Sequence, residues 1–275
     1  MKKRWLVLLG IVLALGALVA ALPLLLQLMG LHPNKDAEPY DLAERRALII
    51  TTSQDTLGDT GKATGVYASE MTIPYYEFLG SGMTVDIASI RGGTIPIDPM
   101  SIKWPLATAA DKKFLADSDF REKVEESLAV EQVDFTSYDV VYLAGGWGAA
   151  YDLAQSPELA QGLAIANANG TILGAVCHGI LGLVPVQNED GVPLLAGKKV
   201  TAVTNLQLEQ LGITSTPLHP ETEVRSIGAL YESQTAFRDI FAYHVVEDGN
   251  LVTGQNQNCG QEVAQRMMRL VGERK

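Results

Sequence analysis

Five short apolar runs, separated by stretches of helical pattern, constrain this chain more than any other feature. They are RALIITT (46–52), MTVDIASI (83–90), YDVVYLAGG (138–146), TILGAVC (171–177) and KKVTAVTN (198–205). Each is nearly continuous in apolar and β-branched residues, as expected of strands buried on both faces. Between them lie the candidate helices SEMTIPYYEFLGSG (69–82), DSDFREKVEESLAV (117–130) and SPELAQGLAIANANG (156–170). Strands alternating with helices build an α/β domain whose mostly parallel sheet is sandwiched by helices. HVVEDGNLVTGQ (244–255) reads as a late hairpin turning at Asp248-Gly249. CGQEVAQRMMRLVGE (259–273) reads as a closing amphipathic helix with Val263, Met267, Leu270 and Val271 near helical spacing.

A different kind of segment precedes these runs. From Trp5 to Leu31 the chain carries one polar side chain, Gln27, and no charge. A bilayer core takes about 20 apolar residues as a helix, whereas the apolar part of a secretory signal has about 7 to 15. The run is long enough to be one transmembrane helix. Lys2, Lys3 and Arg4 before it and the acidic stretch DAEPYDLAE after it place the N-terminus in the cytoplasm and the rest outside, as a single-pass membrane protein. Small residues around Ala17 to Ala21 offer the alternative of a cleaved signal, but the apolar run continues well past them. The chain thus divides into an anchor (1–31), a polar linker with two prolines (32–44) and one α/β domain (45–275). The whole chain, at 275 residues and 47% hydrophobic composition, leaves that domain material for a sizeable core. Three of the 21 basic residues and none of the 32 acidic ones precede the apolar run, so linker and domain together carry 18 basic against 32 acidic residues, or −14. Such a charge argues against a nucleic-acid partner, whose phosphates need a basic face.

TILGAVC followed by HGILGLVPV (178–186) puts Cys177 where a buried strand turns into a helix. Ala175 and Gly179, two residues before and after it, are the small residues that the sharp turn of a nucleophile elbow needs. A thiol at a helix start faces unpaired N–H groups and the positive end of the helix dipole, so its pKa is expected below the free value of about 8.5. The ordinary role of a free cysteine is that of a small buried hydrophobe. The order strand, Ala, Cys, His, Gly singles out Cys177 as a nucleophile instead, with His178 beside it. After the third run, AGGWGAAYDL (144–153) sets Gly145, Gly146 and Gly148 at the carboxyl end of a strand, where open α/β sheets form their ligand crevice. The backbone N–H groups of Gly146 and His178 would make a two-donor oxyanion hole. No HExxH, CxxC, P-loop or GxGxxG pattern occurs, so neither a metal nor a nucleotide cofactor is expected. His32, His219 and His244 fall in the linker, between prolines, and at a strand start, and none belongs to a motif.

The succession AGGWGAAYDL, GAVCHG (174–179), AGKKVTAVTN (196–205) and VVEDGNLVTGQNQN (245–258) resembles the ThiJ/PfpI superfamily. Within it, the chain is most similar to the branch of heat-shock chaperones and glutathione-independent glyoxalases (glyoxalase III). The resemblance covers about residues 45–272 and leaves the apolar anchor outside. It implies a flavodoxin-like fold of the class I glutamine amidotransferase type, with Cys177 as nucleophile and His178 as the adjacent histidine. Glu70, in ATGVYASEMTIPYYEF (63–78), matches the glutamate that hydrogen-bonds the sulfur and carries protons; from the residues alone it reads equally well as a solvated carboxylate at a helix start. The resemblance also implies an acid just after VTAVTN to orient the histidine, and in Asn205-Leu206-Gln207-Leu208-Glu209 the only acid is Glu209. Trp147 stands where relatives often carry histidine. The loop bearing Cys259 lies near the elbow in relatives, which would make Cys259 a redox partner of Cys177; the plain reading of Cys259 is a small helix-capping residue. The implied activity is conversion of a small α-oxoaldehyde such as methylglyoxal to a hydroxy acid without glutathione or any cofactor; the protein partner the sequence leaves open is a second copy, as a homodimer. Two alternatives share the same residues: an amidase or peptidase using the nucleophile and hole for acyl transfer, and a redox sensor or holdase chaperone whose thiol oxidises rather than turns over.

Overall fold

The computed structural model describes residues 2–35, 38–213 and 216–274, apart from the side chains of Lys2 and Lys3; Asp36 and Ala37 of the expected linker lie outside the described residues. The main sheet is built from β1 (Arg46–Thr51), β2 (Thr84–Ser89), β3 (Leu128–Ala129), β4 (Val140–Leu143), β5 (Ile172–Val176), β8 (Val245–Asp248) and β9 (Leu251–Gly254). Their order is β3-β2-β1-β4-β5-β9-β8. All neighbours are parallel except β8, which pairs antiparallel with β9 across the Asp248-Gly249 turn.

Alternate residues of each central strand enter two separate cores. Ala47, Ile49, Val140, Tyr142, Ile172 and Val176 point into one, and Leu48, Ile50, Val141, Leu143, Leu173 and Ala175 into the other. Two apolar faces explain why these runs show no polar alternation in sequence. Among the helices, α1 (Lys2–Leu28) precedes the sheet. The first core is covered by α2 (Ala68–Gly80), α3 (Ala109–Ala116), α4 (Ser118–Glu125) and, further along, α9 (Gly260–Glu273). The second is covered by α5 (Ala149–Asp152) and α6 (Pro157–Ala168). Beyond the elbow, α7 (Asn205–Gln210) adds Leu208 to the first core and α8 (Pro220–Ser226) adds Val224 to the second. On α9, Val263, Met267 and Val271 are buried and Leu270 lies at the edge, as the helical spacing requires.

Three stretches differ from the sequence expectation. KKVTAVTN is not a strand of the main sheet: only Lys199–Val200 (β6) forms a ladder, with Leu230–Tyr231 (β7) in a separate pair. The reason is competition for one edge, since the free side of β5 is taken by β9, and the hairpin then adds β8. DSDFREKVEESLAV is a two-turn helix followed by the short edge strand β3. HGILGLVPV continues the elbow as a 3-10 helix over Cys177–Leu183, not as an α-helix.

By length and composition Arg4–Leu28 is able to cross a membrane. It is exposed along most of its length, and only near its end are Ala21, Leu22, Pro23 and Leu26 partly covered. Just beyond it the chain docks on the domain: Leu31 is buried and the His32 N–H donates to Asn258 Oδ1 at 2.8 Å.

Candidate active site

β5 runs buried from Ile172 to Val176 and ends on Cys177, whose φ is +58°. A side chain in the left-handed region costs roughly 1–2 kcal/mol, and such strain persists only where the surroundings over-determine it. The surroundings here are tight, since a Cβ on Gly179 would collide with the Leu143 carbonyl at the end of β4. The turn therefore throws the Cys177 side chain off the strand end toward β4 and α2. The backbone N–H groups of His178 and Gly146 both donate to its sulfur. The two donors that the sequence pairs as an oxyanion hole thus converge on the nucleophile.

Gly146 has φ +103°, and a Cβ there would meet backbone atoms of Gly65, Val66 and Tyr67. Gly146→Ala is expected to cost roughly 3 kcal/mol, combining about 1–3 kcal/mol of overpacking with about 1–2 kcal/mol of left-handed strain. It should also pull one N–H off the sulfur. Denaturant unfolding measures the first effect and the rate of thiol alkylation the second; a loss below about 1 kcal/mol would show that the Gly65–Tyr67 backbone yields readily.

Glu70 sits in the first turn of α2, fully buried, and is hydrogen-bonded to Cys177. Its Oε2 accepts from the Gly145 N–H at 2.9 Å. Burial pushes its carboxyl up to about 8, against the opposing hydrogen bonds from Gly145 and Cys177. The solvated-carboxylate reading of Glu70 therefore does not describe it. Burial also pushes the Cys177 thiol up, reinforced by the Glu70 charge. This is the reverse of the lowering expected from a helix start. The short 3-10 turn supplies little dipole, and burial disfavours any anion. The N–H donors of His178 and Gly146 work the other way, and the repulsion from Glu70 lapses once its carboxyl is protonated. The sulfur and the carboxyl share one hydrogen bond, so the pair supports one negative charge but not two.

His178 is buried, with Nδ1 3.4 Å from Cys177 Sγ and Nε2 without a hydrogen-bond partner. Burial, aided by the charge of His219, lowers its pKa to about 3, so the imidazole is neutral. Among the described residues no carboxylate is hydrogen-bonded to it. Glu209 is exposed on α7, and it is Gln207 of that helix that is buried, accepting from Asn256 Nδ2 at 3.3 Å. Trp147 is half-buried with its ring centroid 6.3 Å from that of His178. Cys259 and Cys177 are both free thiols; Cys259 donates to the His244 carbonyl at 3.2 Å and is pushed up to about 11 by burial. Among the described residues there is no cluster of three or more His, Cys, Asp or Glu side chains fit to hold a metal.

Two neighbours of the site carry no sequence signal. Tyr67 caps α2 and feels the charges of both Glu70 and Cys177, and burial holds its hydroxyl well above the usual tyrosine range. His219, which the sequence sets aside as a loop residue between prolines, lies near enough to His178 to act on it. Neither periodicity nor spacing brings a residue in a Pro-flanked loop to a strand end forty residues earlier.

A family model described as the DJ-1/PfpI family matches residues 62–270. The glutathione-independent glyoxalase HSP31 of Saccharomyces cerevisiae is 27% identical over 236 residues, which are 82% of this chain and 97% of that protein. The crystal structure of glyoxalase III from Candida albicans superposes with a TM-score of 0.76 at 25% identity, covering 83% of this chain and 98% of the other. Rapid Encystment Protein 24 KDa of Francisella tularensis superposes with a TM-score of 0.77 at 29% identity, covering 82% and 99%.

Proposed function

This chain belongs to the DJ-1/PfpI family, and on that premise we propose that it is a glyoxalase III-like enzyme that converts methylglyoxal or a similar α-oxoaldehyde to a hydroxy acid through Cys177. The observation that carries the reading is the convergence on one sulfur of the Glu70 carboxyl, the His178 imidazole and the N–H groups of His178 and Gly146. Relatives named as glutathione-independent glyoxalases support the substrate class.

The Cys177 thiolate adds to the aldehyde carbon, and the proton that left sulfur ends on the former aldehyde oxygen, giving a hemithioacetal. A proton then moves from that carbon to the neighbouring keto carbon by way of an enediol. His178, neutral and within reach of the sulfur, and Glu70, protonated through neutral pH, are the carriers. The product of this shift is a thioester of the hydroxy acid, which water cleaves to restore the thiol. One carbon is oxidised as its neighbour is reduced, so the sequence balances without a redox cofactor.

The test is nuclear magnetic resonance of methylglyoxal incubated with the protein in glutathione-free buffer. Lactate should accumulate catalytically. Cleavage of amide or peptide substrates with no lactate would replace this reading with that of a hydrolase.

The same proposal sets the domain outside the cytoplasm, held by α1. Its support is the apolar length of Arg4–Leu28 and the basic residues that precede it.

A further inference from the structure

Phe237 is 84% exposed, more than any other large apolar residue described. It tips a loop in which every residue from Glu232 to Arg238 is exposed. Its ring stacks on Phe241, with centroids 6.2 Å apart and planes inclined by 20°. Phe241 in turn lies against the point where α1 ends: a Cβ on Gly30 would come 3.0 Å from the Phe241 carbonyl oxygen and 3.8 Å from its Cβ.

Both features are held on one clamp, the run Gln255-Asn256-Gln257-Asn258, whose four side chains are buried. Gln255 exchanges two hydrogen bonds with the Gln234 backbone, accepting from its N–H at 2.8 Å and donating to its carbonyl at 2.9 Å. Asn256 Nδ2 donates to the carbonyls of Asp239 and Ala242, each at 3.0 Å. Gln257 and Asn258 donate to the Ile240 carbonyl at 3.0 and 2.8 Å. The same Asn258 accepts from the His32 N–H, four residues beyond α1. The amide run thus ties the base of the aromatic loop and the exit of the apolar helix to one rigid support. Lost loop entropy does not oppose contact with a surface, because the loop is already ordered.

We infer that the Glu232–Arg238 loop is a second contact with the bilayer that α1 crosses, with the Phe237 ring seated at the boundary of headgroups and acyl chains. The inference rests on reading α1 as membrane-spanning. A lipid surface is the occupant that fits, because the patch adjoins the end of a helix that is itself apolar all round. Gln27, the single polar residue of the apolar run, sits in its last turn and marks the level of the interface. Aromatic rings beside a cation suit that level, and Arg238 is exposed next to Phe237, within reach of lipid phosphates.

The test uses the full chain in phosphatidylcholine and phosphatidylglycerol vesicles, with a nitroxide at Phe237→Cys or, separately, at Val12→Cys in the middle of α1. Both variants are made in a Cys177→Ser background, which removes the reactive thiol, and Cys259 is fully buried. Both labels should collide more often with oxygen than with an aqueous nickel complex, reversing the ratio seen for a surface label. A lipid-like label at position 12 with a water-like one at 237 would overturn the inference and leave the anchor standing. Water-like behaviour at both would overturn the anchor and the inference together. A label at 237 shielded from both reagents would show that the loop packs on protein, a second copy included, and would equally overturn it.

Discussion

Glu70→Gln is expected to lower methylglyoxal turnover by roughly 10²- to 10⁴-fold, the range for losing a positioned proton carrier, and at the same time to raise the stability of the fold. The opposite signs have one cause. Glu70 is fully buried and its carboxyl is pushed up to about 8 from an ordinary value of 4.5. Between those two values the native protein holds a proton that the unfolded chain has released, so stability falls as pH rises across that window and levels off above it. At about 1.4 kcal/mol per unit, the penalty at pH 7 is roughly 3 kcal/mol. A glutamine keeps the shape and can still accept from the Gly145 N–H, but has no proton to lose. Unfolding by denaturant between pH 4.5 and 8 should show a falling midpoint for the wild type and a flatter line for the variant. Equal slopes would mean that Glu70 ionises freely in the native state, and unchanged turnover would remove it from the mechanism.

The second large effect is expected from Cys177→Ser. The hydroxyl can occupy the same left-handed elbow and meet the same N–H donors, so stability should change by no more than about 1 kcal/mol. Turnover should fall on the order of 10⁴-fold or more, because an alcohol ionises far less readily than a thiol and all later steps pass through the bond to sulfur. A loss of only about tenfold would show that no covalent adduct forms on this residue. Alkylation gives an independent readout. The wild type should take up one iodoacetamide per chain, and Cys177→Ser none, since Cys259 is fully buried with its thiol pushed up to about 11. Labelling that persists in the variant would identify Cys259 as reactive, in keeping with a role as redox partner of Cys177.

Much of this arrangement was legible in the order of residues. The runs around Ile49, Val141 and Leu173 are apolar at successive positions through their centres, as a sheet covered on both faces requires. The short strand-to-turn passage at Cys177, with Ala175 and Gly179 around it, identified the elbow, because a sharp turn is a local property set by small residues. The resemblance to the ThiJ/PfpI superfamily identified Glu70, which its own neighbours do not distinguish from a solvated helix carboxylate. The strand assigned to KKVTAVTN was misread because its residues suit a strand wherever an edge is free, and the hairpin of β8 and β9 occupies that edge.

The sequence by itself determined the two-faced sheet, the elbow and the apolar helix, since each follows from periodicity or composition within a dozen or so neighbouring residues. Only the tertiary structure decided the electrostatics of the site. It brought Glu70 to a sulfur more than a hundred residues away, buried both, and so raised the thiol that a helix start alone would have lowered. It left Glu209 at the surface, set His219 near His178, and turned an unremarked run of four amides into the clamp that joins the helix exit to the Phe237 loop. Burial and charge act through space, and the distances on which they depend exist only once the chain has folded.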